Sequence, residues 1–161
     1  QKGVFSKEVA ANAPELLKMP AGTVQVSIYY AKHLPVKTMF GLTDTYVRAT
    51  YEGKTMRTRT VRLSLDPKYN TTMRFPSGDC VNAVSIEVYQ VGGIGSDLEI
   101  GQLIIPYKDI ARGVNKEFAL FERSGASVVG LQGKTTVLYV RGTADMREQD
   151  IGEIAHRRAE R

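Results

Sequence analysis

The sequence predicts an all-β fold, a sandwich of eight short antiparallel strands in one domain. Three observations carry that prediction. Eight segments are rich in β-branched and aromatic residues, and several alternate in polarity, as half-buried strands do. Turn-forming Gly, Pro and Asp residues separate them at regular spacing. With 161 residues, 42% hydrophobic and 24% charged, the chain suits one core with short extensions better than two domains.

Residues 1–21 form an N-terminal extension in which Pro14 to Met19 reads as a helical turn, Pro14 being tolerated at a helix start. Thr23 to Tyr30 is the first strand. Thr45 to Tyr51 and Thr55 to Arg62 follow, with Glu52-Gly53 between them as a tight hairpin turn. Asp66-Pro67 breaks the chain before the strand Thr72 to Phe75, and Pro76-Ser77-Gly78 breaks it after. Val84 to Tyr89 is the fifth strand, and Gly92-Gly93-Ile94-Gly95 separates it from Gln102 to Ile105. Glu117 to Phe121 and Thr135 to Val140 complete the set. From Asp145 to Arg161 the pattern becomes that of a charged helix, with Asp145-x-x-Glu148 as a capping box. Its apolar stripe, Ile151, Ile154 and Ala155, is thin. Two readings stay open for it, a solvated linker and a docked or partner-binding helix.

Composition excludes several function classes. No apolar run approaches the roughly 20 residues of a membrane span, and Gln1 to Pro20 lacks the pattern of a signal peptide, so a cytoplasmic setting is expected. The single Cys80 cannot staple the fold, and His33 and His156 are isolated, so no zinc constellation exists. Gly133-Lys134-Thr135 resembles the end of a phosphate-binding loop, but the first required glycine is Val128 and a strand follows where a helix is needed. The net charge of +5 favours anionic partners, without the aromatic platform of a nucleic-acid binder. No nucleophile with a base and an orienting partner is visible. Neither catalysis nor a cofactor is expected.

One set of motifs points to a family. Gly22-Thr23-Val24-Gln25-Val26 leads into Ala31-Lys32-x-Leu34, followed by Gly41-Leu42-Thr43-Asp44-x-Tyr46-Val47 and Ser64-Leu65-Asp66-Pro67-x-Tyr69-Asn70. Val84-x-Ile86-x-Val88-Tyr89 and Ile100-Gly101 close the series. In this order and spacing the chain resembles a C2 domain over roughly residues 22–142, leaving 143–161 as the charged helix or linker. The resemblance implies an eight-stranded antiparallel Greek-key β-sandwich. Because no strand candidate precedes Thr23 and one follows at Thr135 to Val140, the type II strand order is expected.

The resemblance also carries two sites. The family's calcium site, built from aspartates on two loops, falls here on Thr38, Asp44, Gln90, Gly92 and Leu98, with Asp97 shifted by one. Only Asp44 keeps a carboxylate among the five, and Lys37 lies close enough in sequence to pair with it. A hard cation wanting six to eight oxygens is poorly served, so no metal is expected. The phosphoinositide site that some members carry on the concave sheet falls on Tyr46, Arg48, Arg57, Arg59 and Tyr89, all with suitable chemistry. Residues two apart on a strand share a face, so each arginine pair can converge on one headgroup. From Arg48 to Arg74 seven basic residues (Arg48, Lys54, Arg57, Arg59, Arg62, Lys68, Arg74) face two acidic ones (Glu52, Asp66), although Asp97 would repel phosphate. At the loop tips Met39, Phe40 and Ile94 are apolar, to insert into a bilayer or to fold back over the vacated metal pocket.

Two functions are compatible with this pattern. One is a calcium-independent module on an anionic membrane surface or phosphoinositide, cytoplasmic and peripheral to the membrane. The other is a scaffolding module that binds a protein partner and no lipid. A nucleic-acid partner is not expected.

Overall fold

In a computed structural model of the chain, residues 22–37, 43–77, 82–93 and 95–145 are described. Eight strands are formed: β1 (Gly22–Lys32), β2 (Thr45–Tyr51), β3 (Lys54–Arg57), β4 (Lys68–Ser77), β5 (Val84–Gln90), β6 (Leu98–Ile105), β7 (Val114–Ala119) and β8 (Val137–Ala144). They make two four-stranded sheets of order β4-β1-β8-β7 and β3-β2-β5-β6, with every pairing antiparallel. The chain changes sheet between β1 and β2, β3 and β4, β4 and β5, and β6 and β7, which gives the Greek key. β8 lies between β1 and β7, the type II arrangement expected from the sequence.

Alternation explains which face of each strand is buried. Val24, Val26 and Ile28 of β1, Val47, Ala49 and Tyr51 of β2, and Val84, Ile86 and Val88 of β5 point into one shared core with Phe75, Leu138 and Val140. Burial of such side chains contributes about 1.5–3 kcal/mol each, which is what holds two otherwise independent sheets together. At Tyr29 a bulge adds one residue to β1 against β8, where Ile28 pairs with Val140 but Tyr30 with Tyr139. The bulge resets the alternation so that Ala31, not Tyr30, enters the core.

The turn at Glu52-Gly53 places both residues at positive φ, 50° and 79°, matching the type I′ hairpin that follows the right-handed twist of strands. The motif Ser64 to Asn70 has a structural role. Leu65 and Pro67 accept the backbone N–H groups of Leu34 and Ala31, the Asp66 carboxylate accepts that of His33, and the buried Tyr69 hydroxyl is hydrogen-bonded to Thr45 Oγ1 at 2.6 Å. In the Ile100-Gly101 pair, a Cβ on Gly101 would lie 2.8 Å from Val128 Cγ2 and 3.1 Å from Leu120 Cβ. That glycine is a packing requirement.

Several strand boundaries differ from the sequence reading. β3 ends at Arg57 because Val47 N–H donates to the Thr58 hydroxyl at 3.0 Å, where a ladder carbonyl would otherwise accept. β4 and β6 begin earlier than the apolar pattern suggested, at Lys68 and Leu98, and β8 runs on through Arg141-Gly142-Thr143-Ala144 because β1 pairs with it. Phe121, assigned to the seventh strand, forms isolated bridges to Gln102 and Ser127 instead. A short helix α1 (Tyr107–Arg112), which has no counterpart in the sequence reading, seats Ile110 over Gly142 of β8. The expected helices at Pro14 to Met19 and Asp145 to Arg161 lie outside the described residues, Asp145 itself excepted.

Candidate functional site: the outer face of the β3-β2-β5-β6 sheet

Strands β2 and β5 turn their even and odd positions, respectively, away from the core, so Tyr46 and Arg48 stand beside Tyr89 and Glu87 on one outer face. Tyr46 and Tyr89 are direct cross-strand partners, and their rings stack with centroids 5.5 Å apart and planes at 17°. Arg48 and Arg57 are direct partners across β2 and β3. Like charges so placed destabilise a sheet. Here each guanidinium lies over a ring of the stacked pair, Arg57 at 3.6 Å from the Tyr46 centroid and Arg48 at 4.6 Å from that of Tyr89. Cation–π attraction offsets the repulsion and fixes both charged groups.

Arg59 does not join this cluster. It follows the end of β3, is exposed, and its Nη2 donates to the Lys68 carbonyl at 3.4 Å, on the side where β4 begins. The structure thus brings together Tyr46, Arg48, Arg57 and Tyr89 and leaves the fifth expected residue at the rim.

Three carboxylates and a further arginine complete the face. Glu87 is buried, with one carboxylate oxygen accepting from Arg48 Nε and Nη2 at 3.0 and 2.8 Å and the other from Arg123 Nη2 at 2.5 Å. Arg123 also grips Glu99 through Nε and Nη2 at 3.0 and 2.9 Å. Its side chain is 63% exposed. The Arg48 guanidinium, chiefly through its bonds to Glu87, and that of Arg123, chiefly through Glu99, are held above the usual arginine pKa. Burial raises the Tyr46 and Tyr89 hydroxyls, with Asp97 and Glu87 adding to the effect.

Asp97 is exposed and engaged in hydrogen bonds on this face. Its carboxylate accepts the Tyr46 hydroxyl at 2.6 Å and the Gly92 N–H at 3.0 Å, and these bonds, the first foremost, pull its pKa below the ordinary 3.8. It therefore ties the loop after β5 to the tyrosine pair. Sequence reading missed Glu87, Glu99 and Arg123 as a network because Arg123 comes from the segment between β7 and β8, far along the chain. The alternation of Glu87 with Tyr89 was the available signal.

At the family's calcium positions the described donors do not fit the ion. The Asp44 carboxylate accepts Leu63 N–H at 2.9 Å and pairs with Arg62, 3.9 Å away, rather than with Lys37. Gln90 offers a buried amide oxygen without a hydrogen-bond partner, as Thr43 does a hydroxyl, while Gly92 and Leu98 offer no side-chain oxygen. One engaged carboxylate falls well short of a cage for calcium. Thr38, Met39, Phe40 and Ile94 lie outside the described residues. Among the described residues, no group of three or more His, Cys, Asp or Glu side chains is placed to hold a metal, and no helix is long and apolar enough to cross a membrane.

The opposite sheet carries a second aromatic group. Tyr139 packs its ring 5.6 Å from Tyr29 and 5.3 Å from Tyr30, with the Lys32 ammonium 5.1 Å from the Tyr30 ring. The Tyr30 hydroxyl donates to Glu117 at 2.7 Å, which pushes its pKa up to about 12.

Comparison with known proteins agrees with this architecture. The chain is 29% identical to synaptotagmin-3 of Arabidopsis thaliana over 117 residues, 70% of this chain and 22% of that protein. It is 34% identical to multiple C2 domain and transmembrane region protein 16 of the same plant, over 63% of this chain and 11% of that protein. The chain thus spans less than a quarter of the length of either relative. Among solved structures, a C2 domain of plant extended synaptotagmin 1, the one lettered A, superposes with a TM-score of 0.67 at 19% identity, covering 80% of this chain and 97% of that one. The paired C2 domains, A and B, of extended synaptotagmin 2 give 0.66 at 15% identity, covering 91% and 46%. The C2 domain model matches residues 22–120, more than half of the sequence, and the chain belongs to the C2 domain family.

Proposed function

We propose that this C2 domain is a calcium-independent binding module that takes anionic phospholipid headgroups, phosphoinositides above all, on the outer face of the β3-β2-β5-β6 sheet. The observation that carries this reading is the pair of directly opposed arginines, Arg48 and Arg57, each clamped on a ring of the stacked Tyr46–Tyr89 pair. The rings hold two like charges side by side, where a phosphate can accept from both guanidinium groups at once. Independence from calcium is supported by the engaged Asp44 carboxylate and the missing carboxylates around it. The module works by binding, not by catalysis, at a membrane surface on the cytoplasmic side.

The test is co-sedimentation of the full chain with phosphatidylcholine vesicles, with and without a phosphoinositide. Capture only by the phosphoinositide vesicles supports the reading, and equal recovery from both refutes it. A protein-binding scaffold is the second reading, favoured by the half-buried Tyr29, Tyr30 and Tyr139 group on the other sheet, since tyrosine is enriched at protein interfaces.

A further inference from the structure

Taken alone, the arginines of the outer face suggest a strongly positive surface, but their neighbours cancel them. Arg48, Arg57 and Arg123 are matched by Glu87, Asp97 and Glu99, each in hydrogen-bond contact with a member of the cluster. A balanced face exerts little net pull on a lipid bearing one diffuse negative charge. Binding must come from an anion dense enough to displace a carboxylate.

Arg123 is the group built to be displaced. Arg48 is pinned by Glu87, by its bond to the Tyr89 hydroxyl and by the ring beneath it, with its side chain 39% exposed. Arg123 is 63% exposed and, among the described residues, is held by two carboxylates. Both arginines touch Glu87, one on each oxygen, so their guanidinium groups lie on either side of a single carboxylate. Each keeps its Nη1 hydrogens unspent among the described residues, ready for a new acceptor. Glu99 is 21% exposed and gains water when released, Glu87 is 10% exposed but keeps both bonds from Arg48, and a phosphate monoester accepts a bidentate guanidinium with greater charge, so the exchange favours phosphate.

Building on the anionic-headgroup reading above, we propose that Arg123 is a specificity residue of this face: it exchanges Glu99 and Glu87 for the second phosphate of a headgroup whose first phosphate sits between Arg48 and Arg57. The face therefore selects a polyanion with at least two phosphate monoesters over a singly charged lipid. After the exchange Glu87 keeps Arg48 as its partner, and the half-buried Glu99 becomes hydrated.

The test uses the full chain and phosphatidylcholine vesicles doped, at matched total charge, with phosphatidylinositol bisphosphate, phosphatidylinositol monophosphate or phosphatidylserine. The unmodified chain should prefer the bisphosphate. Arg123→Gln should weaken bisphosphate binding by about tenfold and leave monophosphate binding within about twofold, measured below the melting temperature of the variant. Glu99→Gln, which frees Arg123, should raise phosphatidylserine binding and narrow the discrimination. Soluble inositol trisphosphate should compete for the unmodified chain and less well for Arg123→Gln, which separates headgroup recognition from attraction to a charged bilayer. Equal losses on all three vesicles, no loss on any, or no competition by the soluble headgroup would overturn the assignment while leaving the lipid-binding reading intact. Failure of the unmodified chain to bind any of the vesicles would overturn both.

Discussion

The charged residues of the outer face are not equivalent, although they look so in the sequence. Arg57 is fixed over the Tyr46 ring, and its Nε and Nη2 donate to Thr58 O and Thr60 Oγ1, whereas Arg59 reaches away toward Lys68. Arg57→Ala should therefore weaken binding to phosphoinositide vesicles by roughly 1.5–3 kcal/mol, the value of a charged hydrogen bond, and Arg59→Ala by clearly less. Titration of vesicle binding for the two variants checks the order, and equal losses would return Arg59 to the site. A second residue-scale prediction concerns Asp97. Its depressed pKa stabilises the fold above the ordinary carboxylate value of 3.8, and that contribution is lost as pH falls through the lower folded-state value. Tyr46→Phe removes the largest cause. In an NMR titration the Asp97 carboxyl of the variant should move up toward 3.8, and an unmoved titration would show that the Gly92 N–H alone holds it down.

Among the elements, the strands were readable where one face is buried, because burial imposes the two-residue period. β2 and β5 have those bounds to within a residue of the apolar pattern, as does the positive-φ turn after β2. The ends that escaped reading depend on partners distant in sequence. Arg141 to Ala144 has little strand character of its own and is drawn into β8 by Val24 to Ser27. The network of Glu87, Arg123 and Glu99 escaped for the same reason, since only the fold brings the β7–β8 segment over β5. The cross-strand tyrosines and arginines could be placed because alternation and pairing order suffice for them. Gly101 tests the packing side of this picture: Gly101→Ala puts a Cβ against Val128 and Leu120 and should cost about 1–3 kcal/mol in denaturant unfolding, with an unchanged slope. A neutral substitution would mean that the β6 contact with the following segment is loose.

At the scale of the whole molecule, the proposed reading has a +5 chain meet an anionic surface with a face whose own charges are balanced, so affinity rests on local geometry more than on net charge. Raising salt should weaken the approach to the vesicle, with a residual attachment from the desolvated contacts on the tyrosine pair. On the proposed reading, the family's calcium bridge is replaced by protein contacts: Leu63 N–H on Asp44, and Asp97 on Gly92 and Tyr46. Binding to phosphoinositide vesicles by the full chain, measured side by side in millimolar-range calcium and in chelator, tests this most directly. The same affinity in both, well above that for plain phosphatidylcholine, is the predicted result; capture that appears only with calcium would contradict it.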